Sequence, residues 1–274
     1  MIEVKDLRKS FDGVEVLKGI TTTFETGKVN LVIGQSGSGK TVFLKSLLNV
    51  YEPTSGHILF DGRDIVGMSR QEKETLRAEI GTVFQGSALF DSMTVQDNIM
   101  FPLDMFTNLT FTEKKKRVKE VIGRVHLENA EKKFPSEISG GMQKRVAIAR
   151  AIVNNPRYLF CDEPNSGLDP FTANIIDDLI AEITEEYNTT TIINSHDMNS
   201  VMTIGEKIVY LRKGIKEWEG TKDILITSDN KYLIDFVYSS ELFKELREYL
   251  IKINKTSIDN IITTIENETD QENT

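Results

Sequence analysis

Residues 34–41 have the composition and spacing of a loop that binds phosphate. They read Gly-Gln-Ser-Gly-Ser-Gly-Lys-Thr and match the pattern G-x-x-x-x-G-K-[ST]. Glycines let the backbone curl until successive N–H groups point at phosphate oxygens, and the N-terminal end of a following helix adds positive charge. Lys40 would then reach the β- and γ-phosphates of a nucleotide, and Thr41 would ligate Mg²⁺. The alternative interpretation is a glycine-rich turn with no chemistry.

An apolar run at residues 158–163 ends in two carboxylates, Asp162 and Glu163. A buried strand of a parallel sheet delivers the side chains at its C-terminal end to the edge where phosphates bind. Asp162 would hold Mg²⁺ through water, and Glu163 would orient and polarise an attacking water. A solvated acidic turn would be the better interpretation of this run alone. Its position behind a phosphate loop favours the catalytic interpretation.

A third motif, residues 138–145, reads Ile-Ser-Gly-Gly-Met-Gln-Lys-Arg. Ser139 can cap a helix that begins near Met142, and Gly140 and Gly141 leave backbone N–H groups open to an anion. By itself the motif also fits a capped helix without a ligand. It resembles the signature of the ABC transporter ATPases and lies, as in that family, just before the acidic strand. Kinases, GTPases, helicases and motors, which a phosphate loop alone leaves open, are thereby disfavoured.

Four further positions resemble motifs of the ABC family. Gln85 follows an apolar strand and is similar to the Q-loop glutamine, and residues 166–169 resemble the D-loop. His196 follows another strand and is similar to the switch histidine, although a lone histidine there would usually be structural. Phe11 lies where the family places an aromatic ring that stacks on adenine, and a core position is equally compatible.

The resemblance covers residues 1–240 and implies that two cassettes close head to tail around ATP and Mg²⁺. Each ATP would be held between the phosphate loop of one chain and residues 139–141 of the other. A second copy of the chain is the favoured partner because both half-sites look intact. The implied catalytic residues are Glu163, His196, Gln85 and Lys40. The implied nucleotide contacts are Phe11, Gly34, Ser36, Gly37, Ser38, Gly39, Lys40, Thr41, Val42, Ser139, Gly140, Gly141 and Asp169, and the implied metal ligands are Thr41, Gln85 and Asp162.

Alternating strand and helix patterns must position these residues, and they predict an α/β fold with a mainly parallel sheet. The family resemblance makes this a P-loop NTPase (RecA-like) core with an N-terminal antiparallel β subdomain and an inserted α-helical subdomain. Strands are predicted at 2–4, 20–24, 29–33, 58–60, 80–84, 158–161, 191–193, 208–211 and 215–218. Helices are predicted at 40–50, from a capping box of Ser69 and Glu72 to about 79, at 112–125 and at 142–154.

The predicted organisation has three parts. Residues 1–85 and 156–222 form the ATP-binding core with its antiparallel subdomain, and residues 86–155, without a strand, form the helical subdomain that carries the signature. Residues 223–274 form a helical extension, whose last residues, 266–274, are almost wholly polar and predicted to be disordered. Apolar residues at 233–236 and 242–250 would either reach a neighbouring ATPase or pack on their own chain.

The bulk properties exclude several classes of function. The chain has 274 residues and a net charge of −9, which argues against nucleic acid as a partner. The basic run at residues 114–117 is typical of a solvated helix face. Cys161 is the only cysteine, which fits a reducing compartment. No run approaches the roughly 18 apolar residues of a membrane span, and no secretory signal is present. The ABC resemblance implies that a permease holds the protein at the cytoplasmic face of the inner (plasma) membrane, as a peripheral subunit.

A narrower resemblance concerns residues 84–95, Asn98 and residues 101–103, which are similar to the Mla-type ATPase subunit. Residues 68–70 and Met142 after the signature glycines are similar to the same group. That group serves MCE-type systems that move phospholipids, so the resemblance implies a transmembrane permease and an MCE-domain substrate-binding protein as partners. Residues 165–169 instead resemble the sequence common to ABC ATPases in general. The ATPase subunits of methionine and other amino-acid importers are the alternative to the Mla-type group.

Two other classes of function remain as alternatives. A soluble ABC ATPase acting on ribosomes or DNA usually carries two fused cassettes or a long coiled-coil insertion, and this sequence has neither. A regulatory module that holds ATP without turnover would not need both Glu163 and His196. A transport ATPase is therefore the preferred hypothesis.

Overall fold

A computed structural model describes residues 1–239, 244–245, 247–249 and 252. Its strands are β1 (Ile2–Phe11), β2 (Val14–Phe24), β3 (Val29–Ile33), β4 (Ser55–Phe60), β5 (Arg63–Asp64), β6 (Ile80–Val83), β7 (Tyr158–Asp162), β8 (Thr190–Ser195), β9 (Lys207–Arg212) and β10 (Ile215–Gly220). Its helices are α1 (Lys40–Leu47), α2 (Arg70–Ala78), α3 (Val95–Phe106), α4 (Phe111–Arg124), α5 (Gly140–Ile152), α6 (Pro170–Tyr187), α7 (Met198–Ile204), α8 (Lys222–Thr227) and α9 (Lys231–Val237).

The strands form two sheets of different kinds. The first, in the order β2-β1-β4-β5, is antiparallel throughout. The second has the order β10-β9-β3-β8-β7-β6, and its strands from β9 to β6 run parallel to one another. β3, β7 and β8 are buried along almost their whole length because helices cover a parallel sheet on both faces. The predicted α/β fold, with a mainly parallel sheet and an antiparallel N-terminal sheet, is confirmed.

The N-terminal hairpin is longer than the sequence predicted. The predicted strands at 2–4 and 20–24 are only the outer ends of β1 and β2, which continue to a two-residue turn at Asp12 and Gly13. Both turn residues have positive φ, 48° and 80°, as a type I′ hairpin turn requires. Only one face of this hairpin is buried, so charged residues alternate with apolar ones and hide the strand signal.

The predicted helices are present with small shifts at their ends. α2 has the predicted capping box, in which Ser69 accepts from the Glu72 backbone and the Glu72 carboxylate accepts from the Ser69 backbone. Residues 86–155, all of which are described, contain α3, α4 and α5 and no strand, as expected. α3, whose interior contains Pro102, was not predicted from the sequence, and neither were α6 and α7.

The main hydrophobic core lies between the two sheets and around α1. Phe24 and Phe60 from the antiparallel sheet, Phe43 from α1, and Phe160 from β7 are all buried there. The Phe60 and Tyr158 rings meet edge to face at 4.9 Å, and the Tyr158 hydroxyl donates to Asp61 Oδ2 at 2.6 Å. The core therefore fixes β7, the strand that ends in Asp162, against the antiparallel sheet.

Cys161 lies on β7 inside the mainly parallel sheet, and its burial raises the pKa of the thiol well above its ordinary value. Because the thiolate is the nucleophile, the folded protein is expected to resist iodoacetamide at neutral pH. Intact-mass measurements should show a single alkylation only after denaturant is added. Rapid modification of the folded protein would contradict this placement of β7.

The chain divides into two compact units, Met1–Glu219 and a unit that begins at Gly220. Of the second unit, the structure describes α8, α9 and a few later residues, so residues 233–236 lie in α9. The prediction for 266–274, and most of that for 242–250, lies outside the described residues. In the described part of the chain, no helix has both the length and the apolar character that crossing a membrane requires.

Candidate functional site

The phosphate loop connects β3 to α1, as its pattern predicted. Gly34 has a φ of 155°, and a Cβ at this position would lie 2.3 Å from the Leu211 carbonyl oxygen and 2.6 Å from Ser38 Oγ. Gly39 has a φ of 105° immediately before α1 begins. A side chain at Gly34 would therefore displace the neighbouring strand, and only glycine fits.

Lys40 is the first residue of α1, and its side chain reaches back into this loop. Its side chain is 8% exposed, and its ammonium donates to the carbonyl oxygens of Gly34 at 2.6 Å and Gln35 at 3.2 Å. Burial lowers the pKa of Lys40, while the nearby carboxylates of Glu163 and Asp162 act to raise it. The loop thus curls around a cation to which no carboxylate of the described residues is bonded.

The remaining loop residues leave room for an anion. Ser36 and Gly37 are exposed, whereas the Ser38 hydroxyl is buried without a hydrogen-bond partner in the described structure. Thr41 is exposed on the first turn of α1, and Val42 beside it packs against the core. An unpartnered buried hydroxyl beside a curled backbone is a polar site that fits a phosphate group.

The order of the parallel strands brings the motifs to one edge of the sheet. β8 lies between β3 and β7, with Ser195 opposite Ile33 and Asn194 opposite Asp162. The residues that follow the ends of these strands are therefore neighbours, although they are far apart in the sequence. They include the phosphate loop, Glu163 and His196.

Three predicted residues meet at this edge. Glu163 Oε2 accepts from Gln85 Nε2 at 3.0 Å, and Glu163 Oε1 lies 3.0 Å from His196 Nδ1. Glu163 itself has a φ of 47°, and its backbone N–H donates to the Asn194 carbonyl oxygen at 3.0 Å. Both carboxylate oxygens are thus oriented by neighbours, and the glutamate is held in a sparsely populated backbone conformation, as is common at functional sites.

The predicted metal ligands supply only oxygen atoms. Thr41 offers a hydroxyl, Gln85 an amide and Asp162 a carboxylate, and Mg²⁺ prefers hard oxygen ligands completed by water and phosphate. Among the described residues, no group of three or more His, Cys, Asp or Glu side chains could hold a metal ion. The residues present therefore fit a magnesium ion that is bound together with phosphates.

Asn194 is a site residue that the sequence analysis did not identify. Its amide nitrogen donates to Asp162 Oδ1 at 3.1 Å, and its buried amide oxygen has no partner in the described structure. The available signal was an amide side chain directly after Ile192 and Ile193, in a strand that is buried along its whole length.

The signature residues lie at the start of α5. Ser139 caps the helix by accepting from the Met142 backbone at 3.3 Å, and the helix begins at Gly140, slightly earlier than predicted. A Cβ on Gly141 would lie 2.7 Å from Thr172 Cγ2, so the signature packs closely against the first turn of α6. Ser139 and Gly140 are exposed. Among the described residues, no hydrogen bond joins these three positions to the phosphate loop of the same chain.

Asp169 lies beside the signature as the N-cap of α6. Its carboxylate accepts from the Thr172 backbone at 3.0 Å and from the Thr172 hydroxyl at 2.6 Å, and these bonds lower the pKa of Asp169. In this structure the Asp169 carboxylate, which is predicted to contact the nucleotide, caps its own helix α6.

Phe11 lies at the end of β1 and is 37% exposed, so the core alternative does not apply to it. Its ring meets the Tyr51 ring edge to face at 5.1 Å, and the Lys9 ammonium lies 4.8 Å from its centroid. An exposed, buttressed aromatic face fits the stacking of a base. Tyr51, which packs against the Phe11 ring, belongs to no sequence motif and could not be predicted as part of the site.

Comparison with known proteins identifies relatives along most of the chain. The family ABC transporter matches residues 17–166. The probable ribonucleotide transport ATP-binding proteins mkl of Mycobacterium tuberculosis and Mycobacterium leprae are 39% and 40% identical to this chain over 236 residues. Those alignments cover 86% of this chain and 66% and 68% of the relatives. The methionine import ATP-binding protein MetN 2 of Oceanobacillus iheyensis is 38% identical, over 80% of this chain and 65% of the relative. The chain thus spans about two thirds of the length of these curated relatives.

Solved structures share the fold. The dimeric bacterial ABC transporter cassette MJ0796 has a TM-score of 0.74 and 32% identity, covering 81% of this chain and 98% of the cassette. The protein cbiO1 of Clostridium perfringens, part of the ABC transporter complex cbiONQ, has a TM-score of 0.77 and 31% identity, covering 85% and 94%. The family match extends over more than half of the chain. The phosphate loop, the signature and the acidic strand end all lie within it, in that order. This chain belongs to the ABC transporter family.

Proposed function

We propose that this chain is the ATP-hydrolysing subunit of an ABC transporter, which works as a homodimer and drives a separate membrane permease. The observation that carries the proposal is the contact of Gln85 and His196 with Glu163 at the edge of the sheet, beside the phosphate loop. ATP, Mg²⁺ and a second copy of the chain are the partners that such a site requires. The subunit would lie at the cytoplasmic face of the membrane, bound to its permease.

The site divides the work of hydrolysis among its residues. The loop N–H groups and Lys40 bind the β- and γ-phosphates. Thr41, Gln85 and Asp162 would hold Mg²⁺, which would supply positive charge at the phosphates. Glu163 orients a water molecule and accepts its proton as the water oxygen bonds to the γ-phosphorus. The bond from the γ-phosphorus to the bridging oxygen breaks, and ADP leaves with that electron pair.

A second copy completes the site because the signature lies apart from the phosphate loop of its own chain. Ser139 and Gly140 are exposed at the start of α5, where backbone N–H groups and the helix end favour an anion. The signature of one chain would thus bind the γ-phosphate held by the other. Asp169, which caps α6 next to Gly141, would shape this surface in the dimer.

An apolar groove beside Gln85 supports a permease as the membrane partner. It has a volume of about 260 Å³, opens between β6, α3 and α5, and is lined by Ile80, Phe84, Phe90, Phe101, Met105 and Phe106 among others. Several of these side chains are exposed, which is costly unless a partner covers them. A short amphipathic helix from a permease would fit this groove by inserting its apolar face.

Met105→Glu is expected to release the protein from membranes by placing a charge in this groove. Met105 is 59% exposed, so the substitution should not disturb folding. Phe111→Glu is the matched control, because Phe111 is 66% exposed on α4 outside the groove. The fraction of each tagged variant that sediments with membranes of the native cell would be measured. Equal retention of both variants would argue against the groove as the docking site.

Phospholipid is the proposed cargo, within an MCE/Mla-like system. The support is the resemblance of residues 84–103 to the Mla-type subunit, in the segment that lines the groove. A second candidate is import of methionine or another amino acid, which is favoured by the 38% identity to a methionine import ATP-binding protein. The mycobacterial relatives are named for ribonucleotide transport, a third cargo that the same experiment would detect.

The experiment is to tag the protein in its native cell, solubilise membranes gently and identify the co-purified proteins and lipids by mass spectrometry. Recovery of a permease together with an MCE-domain protein and phospholipid would support the lipid proposal. A permease recovered with a small-solute binding protein would favour the importer. Recovery of ribosomes, or of no integral membrane protein, would overturn the transport proposal.

A further inference from the structure

Two cations of α5, the buried Lys144 and the half-buried Arg150, hold the backbone of the segment that follows β6. The Lys144 ammonium donates to the Gln85 carbonyl oxygen. Arg150 donates to the carbonyl oxygens of Ala88 at 2.7 Å and Ser87 at 2.8 Å. The segment from residue 85 to residue 88 is therefore tied by its main chain to the helix that begins at the signature.

The backbone of this segment needs such support. Ser87 and Ala88 have φ values of 61° and 46°, a left-handed conformation that costs free energy for residues other than glycine. Such conformations persist only where the surrounding structure imposes them. The hydrogen bonds from α5 supply that constraint, and they fix where the Gln85 side chain begins.

Lys144 is unusual because it is a buried cation without an ion pair. Its side chain is 5% exposed, and among the described residues it forms no salt bridge. Burial lowers the pKa of Lys144, while Cys161 and Glu163 act to raise it, so the ammonium lies within electrostatic range of the proposed catalytic carboxylate. A buried charge of this kind is expensive and is typical of functional sites.

We propose that Lys144 is a positioning residue that couples the two ATP sites of the dimer. The inference rests on the proposed function. In that dimer, Ser139 and Gly140 of one chain contact the ATP of its partner, and the same helix carries Lys144. A shift of α5 on binding the partner's ATP therefore moves the Gln85 main chain, and with it the Gln85 amide that donates to Glu163 Oε2 at 3.0 Å. Each chain thereby adjusts its own hydrolysis centre to the nucleotide on the other chain.

The test substitutes Lys144→Met, which keeps the apolar stem and removes the donor. We expect kcat for ATP hydrolysis to fall about 10- to 100-fold, since small misplacements of catalytic groups have effects of this size. The affinity for ATP should change by no more than about twofold, because Lys144 does not reach the phosphate loop. The Hill coefficient for ATP should fall from above 1 towards 1 as coupling between the sites is lost.

Arg117→Met is the matched control, because Arg117 is a cation of α4 that contacts the other end of α5. Arg117 donates to the carbonyl oxygens of Val153 at 2.9 Å and Ile152 at 3.3 Å, at the far end of α5 from the signature. Arg117 thus also donates to main-chain carbonyl oxygens, but in the part of the chain that the structure describes it makes no hydrogen bond to Gln85. We expect this variant to lower the melting temperature without changing the Hill coefficient. Lys144→Arg, which keeps a cationic donor, should restore most of the lost kcat.

A double-mutant cycle separates positioning from a structural effect. If Lys144 acts through Gln85, the loss of kcat in Lys144→Met combined with Gln85→Ala should be smaller than the product of the single losses. Independent losses, or an unchanged Hill coefficient in Lys144→Met, would overturn the inference. Should Lys144→Met fail to fold, Lys144→Gln is expected to change the Hill coefficient in the same direction. Absence of ATP hydrolysis by the original protein would instead overturn the proposed function itself.

Discussion

Glu163→Gln is expected to lower kcat for ATP hydrolysis by about 10²- to 10⁴-fold while ATP still binds, as is typical when a well-placed general base is removed. The amide has the shape of the carboxylate and can still form hydrogen bonds with Gln85 and His196. It cannot accept the proton of the attacking water. The effect should therefore appear in kcat and leave the ATP affinity nearly unchanged.

A second consequence of Glu163→Gln concerns the oligomeric state. If hydrolysis allows the dimer to reopen, a variant that binds ATP without turnover should accumulate as a closed dimer. Phosphate release would give kcat, calorimetry would give the affinity, and light scattering with ATP and Mg²⁺ would give the mass. Glu185→Gln, an exposed carboxylate on α6, is the control and should behave as the original protein. Unchanged turnover in Glu163→Gln would mean that another group accepts the proton.

The parallel sheet could be predicted because burial on both faces leaves an unmistakable pattern. β3 and β8 are buried at every residue and β7 at all but its last, so their apolar residues stand side by side instead of alternating with exposed polar ones. The hairpin of β1 and β2 could not be delimited, because charged residues occupy its exposed face. α3 was not predicted because Pro102 lies in its interior, and a proline there usually argues against a helix.

The centre of the site could be predicted because motifs in a fixed order imply a sheet edge. The phosphate loop follows one strand, Glu163 follows a second and His196 follows a third. If these strands are parallel neighbours, the residues that follow them must meet at one edge of the sheet. Contacts without a motif could not be predicted. Asn194 at Asp162 and Lys144 at the Gln85 carbonyl depend on pairs of residues from different elements, which only the folded chain brings together.

Asp169 shows how one residue can satisfy two interpretations. The family resemblance implied a nucleotide contact, whereas an Asp before Pro170 and three residues before Thr172 is also typical of a helix N-cap. The structure has the cap. A contact with the partner's nucleotide would have to be made by the dimer that the proposed function requires.

Lys40→Met is expected to weaken ATP binding by about 10²-fold or more, since each hydrogen bond to a charged group contributes about 1.5–3 kcal/mol. The Lys40 ammonium now donates to two carbonyl oxygens of its own loop, at 2.6 Å and 3.2 Å, in a buried position. These bonds are poor compensation for desolvation, which lowers the pKa of Lys40. Phosphate oxygens with full negative charge would be much better acceptors. The loop thus places a buried ammonium where phosphate oxygens would bind.

The control for this prediction is Lys28→Met, because Lys28 is an exposed cation that pairs with Glu25 away from the loop. Calorimetric titration with ATP and Mg²⁺ would measure the affinity of both variants, and urea unfolding would measure their stability. We expect Lys40→Met to lose affinity without a comparable loss of stability, because removing an unpaired buried charge also removes its desolvation cost. A variant with unchanged affinity would mean that the phosphates bind elsewhere, and the loop would then be only a turn. A loss of affinity that follows a loss of stability would mean that Lys40 holds the loop rather than the nucleotide.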